Sequence, residues 1–121
     1  MDQSFGKSEK LKRRSHIGLL FEKGKSFKAF PVMLVYYPIP KIKNHQAGFS
    51  VPKRNFKNAV DRNRLKRQLR ESYRLNKHQL KNLPDHYGLM LIYISKEKKD
   101  FDCIFTSVEE LLNKLVKSTA S

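Results

Sequence analysis

Between residues 53 and 81 the chain carries eleven basic side chains and only two acidic ones, Asp61 and Glu71. The segment has the spacing of one long helix. Asn58 is placed to cap it, Asp61 complements the dipole three residues on, and the pattern runs to about Lys77 before Pro84 marks a loop. At about 100° per residue, Leu65, Leu69, Ser72, Tyr73 and Asn76 share one arc, and its Leu and Tyr members form a core-facing stripe. Asn63, Arg64, Lys66, Arg67, Arg70 and Arg74 spread over about 160° of the remaining circumference, with Arg62 near the border of the two arcs. Like charges one turn apart cost about 0.2–0.5 kcal/mol per pair, and Glu71 relieves only part of that. Whatever else the chain folds into, it must supply an apolar surface for the stripe and leave the cationic ridge in solvent. Charged helix faces are usually just solvated, but the missing acids point here to an external polyanion.

The rest of the composition agrees. The chain has 121 residues, with 26 Lys plus Arg against 11 Asp plus Glu, a net charge of +15. That length fits one domain. An apolar content of 39%, with 8 Phe and 5 Tyr, fills one modest core and is too high for a disordered chain. Nucleic acid is the commonest partner of so basic a protein, and a polybasic membrane-surface protein is the alternative on charge alone. The first fourteen residues contain no apolar signal core. The longest apolar runs, 32–37 and 89–94, fall far short of the roughly 20 residues of a membrane span, so no membrane partner is expected. Cys103, the single cysteine, cannot form an internal disulfide, which favours a reducing cytoplasm. No internal repeat is visible. Residues 1–14 read as a flexible basic arm, and residues 15–118 as a single nucleic-acid-binding domain.

Within that domain the periodicity predicts six elements. Ser15 sits where an N-cap belongs, ahead of Ile17, Leu20 and Phe21 at helical spacing, with Gly24 as the stop. Residues 30–37 read as a strand buried on both faces and ended by Pro38 and Pro40. Residues 46–51 alternate as a second strand, and the short polar loop between the two suggests an antiparallel hairpin. A third strand covers 87–94. Asp102 is placed to cap a last helix with Phe105, Val108, Leu111, Leu112 and Leu115 as its stripe. The order helix-strand-strand-helix-strand-helix predicts an α/β (α+β) two-layer sandwich on a small mixed sheet.

The choice of residues on the ridge is informative. Guanidinium forks match phosphate oxygens and stack on exposed bases, and Asn63 offers a donor and an acceptor to a base edge or a 2′-hydroxyl. Lys53-Arg54 after a strand, then Arg62-Asn63-Arg64-Leu65-Lys66-Arg67-Gln68-Leu69-Arg70-Glu71 on a helix, closely resembles the signature of the protein subunit of bacterial ribonuclease P. The basic N-terminal arm, the short helix ending in Phe21-x-x-Gly24, and the Leu-rich last helix agree more loosely. The resemblance spans roughly residues 8–117 and is strongest over 48–74.

The resemblance implies a small α/β protein with a left-handed β-α-β crossover, against the usual right-handed rule. It implies a protein that does no chemistry itself: a catalytic RNA, holding Mg²⁺, cuts the 5′ leader from precursor tRNA. By that likeness Arg62, Asn63, Arg64, Lys66, Arg67 and Arg70 contact the catalytic RNA, and Lys53 and Arg54 extend the surface. Ile17, Phe21, Tyr36, Phe49 and Ser50 are implied to line a cleft for the single-stranded leader. Ile17 stands where an aromatic is frequent, and Phe56-Lys57 where many members have glycine. For Phe21 and Phe49 core packing is an equally good reading.

Nothing else in the chain suggests chemistry. His16, His45, His78 and His86 lack metal-ligand spacing and read as surface residues. No nucleophile–base set, paired carboxylates or Gly-rich loop for a dinucleotide stands out, so no catalytic residue, protein-held metal or bound cofactor is expected. Composition alone equally allows a structural RNA-binding protein such as a ribosomal component. A major-groove DNA reader fits less well, because no partner helix for a helix-turn-helix is evident.

Overall fold

Two apolar strands with both faces buried form the centre of the sheet. In the computed structural model, which describes Gly6 and residues 9–119, they are β2 (Val32–Pro38) and β4 (Tyr87–Tyr93). The remaining elements are α1 (Arg14–Lys23), β1 (Lys25–Ala29), β3 (Gln46–Ser50), α2 (Ala59–Asn76) with a 3-10 turn (Lys77–Leu80), and α3 (Phe101–Thr119). The sheet order is β1-β2-β4-β3. β1 and β4 lie antiparallel to β2, with Leu34 opposite both Phe27 and Leu91, whereas β3 runs parallel to β4. The mixed α/β sandwich expected from the sequence is therefore present, with one more strand.

Strand alternation sorts the core into two parts. On one face Val32, Leu34, Tyr36, Leu89, Leu91 and Tyr93 meet α2 and α3, whose Leu65, Leu69, Tyr73, Ile104, Val108 and Leu111 are buried against them. On the other, Val35 and Met90 pack with Leu11, Leu20 and Ile39, so α1 covers part of the opposite face and adds an incomplete third layer.

Several local expectations change. β1 is an edge strand in which only Phe27 and Ala29 pack on the core, so its Lys25, Ser26 and Lys28 disguise it as loop. The hairpin partner of β2 is this strand and not β3. β4 inserts between β2 and β3, because a strand apolar on both faces is stable in the sheet interior and not at its rim. β3 and β4 are joined by α2 as a parallel crossover. Arg13, without a side-chain cap bond, precedes α1 in place of Ser15. Gly24 does end α1: its N–H reaches Leu20 O at 2.8 Å, and a Cβ there would lie 2.1 Å from that same oxygen. Asn58 caps α2 as expected, accepting from Val60 N at 2.9 Å. At α3 the capping carboxylate is Asp100, which accepts from Cys103 N, and not Asp102. Ile104 takes the core position expected of Phe105, which packs half-buried on Phe101 instead.

The stretch assigned to the basic arm is held down at residues 9–11. Leu11 is buried, its N–H donates to Ala47 O at 3.0 Å, and Glu9 pairs with Lys77 at 2.6 Å. Residues 1–5, 7 and 8 of that arm lie outside the described residues.

His45 is also not a simple surface group. Its Nδ1 accepts from Tyr87 N and its Nε2 donates to Leu80 O, both at 3.0 Å, which fastens the loop after β2 to the start of β4. Burial holds its pKa below the ordinary 6.5; the Leu80 carbonyl opposes this, and His86 beside it adds to it. The folded protein therefore keeps His45 neutral where the unfolded chain takes up a proton. Stability should be full above pH 6.5 and decline as pH falls below it, and His45→Gln should flatten the slope, as read from urea-unfolding midpoints between pH 7 and 5.

Candidate nucleic-acid interface

Seating Leu65, Leu69 and Tyr73 on the sheet turns the opposite side of α2 to solvent. Asn63, Arg64, Lys66, Arg67 and Arg70 are all exposed there, as are Lys53 and Arg54 on the turn that leads from β3. None of these cations makes an ion pair with a described carboxylate. Arg74 is the exception on that face: its Nε donates to Glu71 Oε2 at 2.6 Å. This bond, with a smaller pull from Arg70, holds the Glu71 carboxyl below the usual range. The only ridge carboxylate is thus spent on Arg74, at the far end. Asp61, in the first turn, pairs with Lys98 at 3.1 Å and is also turned away.

Arg62 stands apart. It is half-buried, and its Nη1 donates to Phe56 O and to Lys57 O, each at 2.8 Å.

The five residues assigned to a leader cleft fall on two sides of the sheet. Ile17 packs partly buried on the α1-side core, and Phe21 on the same helix is 58% exposed. Ser50, one residue past Phe49 on β3, faces that same side by alternation and is half-buried. Half-buried Met33 and Ile92 of the central strands, not singled out from the sequence, lie on this face too. Tyr36 and Phe49 point the other way. Tyr36 is 6% exposed and stacked on Phe27 at 5.4 Å, and Phe49 sits against the Tyr73 ring at 5.9 Å. Tyr36 belongs to the core on the α2 and α3 side and Phe49 packs half-buried against it, so neither joins Ile17, Phe21 and Ser50.

A second cationic surface, also missed, lies where α1 begins. Arg13, His16, Lys41 and Lys43 line a shallow pocket of about 410 Å³. Its sequence signal was the Lys41-x-Lys43 pair in a loop read only as polar. Among the described residues no three His, Cys, Asp or Glu gather as metal ligands, and no helix is long and apolar enough to cross a membrane.

Comparison with known proteins identifies what this arrangement belongs to. A family model described as Ribonuclease P matches residues 5–116. The ribonuclease P protein component of Porphyromonas gingivalis is 33% identical over 124 aligned residues, covering 95% of this chain and 88% of its own. That of Chlorobium phaeobacteroides is 33% identical over 128, covering 93% and 88%. Among solved structures, the RNase P protein from Thermotoga maritima matches at a TM-score of 0.72 and 26% identity, over 88% of this chain and 96% of its own. The Staphylococcus aureus RNase P protein shares the fold at a TM-score of 0.73 and 22% identity, over 88% and 94%. A solvent-facing row of unneutralised cations is what an RNA-binding subunit needs, and the matches extend from that row across nearly the whole chain: it belongs to the ribonuclease P protein family, as the RNA-binding protein cofactor of that tRNA-processing enzyme.

Proposed function

We propose that the exposed face of α2 lies along the catalytic RNA of ribonuclease P, with Arg64, Lys66, Arg67 and Arg70 on phosphates and Asn63 on a base edge or 2′-hydroxyl. Lys53 and Arg54 extend this contact from the β3 end. The observation that carries the reading is the set of ridge cations without a carboxylate partner among the described residues. Each such group neutralises a phosphate and releases its condensed counterion, so the like-charge cost of the free helix is recovered on binding.

The α1 side of the sheet receives the single-stranded 5′ leader of precursor tRNA in the same reading. Phe21 presents a solvent-facing ring on which a base can stack, and Ile17, Met33 and Ile92 give a partly apolar floor with Ser50 as a polar group at its edge. Cleavage of the leader falls to the RNA, and no chemical step is assigned to a side chain of the protein. The ridge, whose one carboxylate is bound to Arg74, repels a divalent cation, so the Mg²⁺ also belongs to the RNA. The particle works in the cytoplasm.

Adding the purified protein to its catalytic RNA at low Mg²⁺ should raise the rate of leader removal from precursor tRNA; no change would reject the assignment. A ribosomal component would bind RNA without any dependence on a leader. Arg64→Ala and Arg67→Ala should each lower the log–log salt slope of RNA affinity by about one, and an unchanged slope would mean that these side chains face only water. Phe21→Ala should weaken binding of leader-bearing substrate and leave that of mature tRNA nearly unchanged, since stacking on one base is worth about 1–3 kcal/mol. An equal loss for both substrates would remove Phe21 from the leader path.

A further inference from the structure

Arg62 lies in the first turn of α2, where the helix dipole disfavours a cation. A residue there needs a local reason to be basic. Side chains on a helix lean toward its N-terminus, and Arg62, at the border of the ridge, leans back onto the connection from β3. Its Nη1 is held between the carbonyl oxygens of Phe56 and Lys57 at 2.8 Å each. Both carbonyls belong to residues outside the helix and the sheet.

That connection is fixed at three other points. Asn55 N donates to Pro52 O at 3.1 Å and closes a turn. Phe56 is 7% exposed, with its ring 5.8 Å from Tyr93. Asn58 caps the helix. Lys53 and Arg54 ride on the turn between these points, exposed, with their charges aimed at solvent. Without Arg62 the segment between the turn and the cap would keep only the Phe56 ring as an anchor.

We infer that Arg62 is a positioning residue: it buckles the β3–α2 connection onto the first turn of α2, and so sets where Lys53 and Arg54 meet the RNA, instead of meeting a phosphate itself. The role rests on the RNA-binding reading of the ridge. It divides the Arg62-Asn63-Arg64 triplet by task, with Asn63 and Arg64 facing outward and Arg62 facing the chain's own backbone.

Two measurements test this. In the free protein, ¹⁵N relaxation of the amides of residues 53–57 should show lost order in Arg62→Ala and in Arg62→Met, which keeps the apolar stem, but not in Arg64→Ala. Amides that stay ordered in both Arg62 variants, with the fold intact by circular dichroism, would overturn the buckle. The second is a double-mutant cycle on affinity for the RNA subunit. Arg62→Ala should weaken binding on the order of tenfold, the worth of one or two net hydrogen bonds, and should lose most of that effect once Lys53 and Arg54 are both alanine. A fully additive effect, with a salt slope lowered by about one, would make Arg62 a direct phosphate contact and overturn the positioning role. If the wild-type protein bound no RNA, the ridge reading and the positioning role would fall together, while the relaxation data would still decide whether the buckle exists.

Discussion

Leu65, Leu69 and Tyr73 hold α2 on the sheet against the repulsion of the helix's own cations. Burying a side chain of this size contributes about 1.5–3 kcal/mol, whereas each like-charge pair one turn apart costs only about 0.2–0.5 kcal/mol. Three such burials outweigh a handful of such pairs, so the apolar contact decides where the helix sits and the charges decide what it offers. Everything on the outer face follows from this seat: rotating α2 by one residue would bury an arginine and expose a leucine. The glutamate that could have damped the ridge is bound to Arg74, and the aspartate at the helix start is drawn to Lys98.

The parts of the molecule written in local pattern were legible, and the parts written in pairing were not. The α2 stripe, its Asn58 cap and its extent could be read because 3.6-residue periodicity, capping and dipole preference all concern neighbours in the chain. β1 was missed because an edge strand packs one side only, and its outward Lys25, Ser26 and Lys28 have the composition of a loop. The pairing of β2 with β3 was inferred from sequence proximity, whereas the sheet follows burial and places the most apolar strands at its centre.

The division of the five residues expected to line a cleft has the same origin. Along β2 both parities are apolar, so nothing within residues 32–38 says which parity α1 will cover and which α2 and α3 will cover. Tyr36 and its neighbour Tyr37 differ only in that choice, whereas the alternation of β3 already sets Phe49 and Ser50 on opposite faces. The basic residues were easier, because the ridge is defined by what it does not contact. Arg62 was grouped with them by its charge, although its angular position at the border of the stripe already set it apart.

The strand made last is one of the two at the middle of the sheet, and this limits how the molecule can be divided. β2 and β3 share no hydrogen bonds and are joined only through β4, which the chain supplies after α2 is complete. A peptide ending at residue 81 would carry the entire cationic ridge, yet neither the strand that closes the sheet nor α3, which flanks α2 in the core. The ridge is therefore no module that could be cut out or grafted elsewhere. Its geometry belongs to the whole chain, and the array of exposed cations is set only when folding is finished.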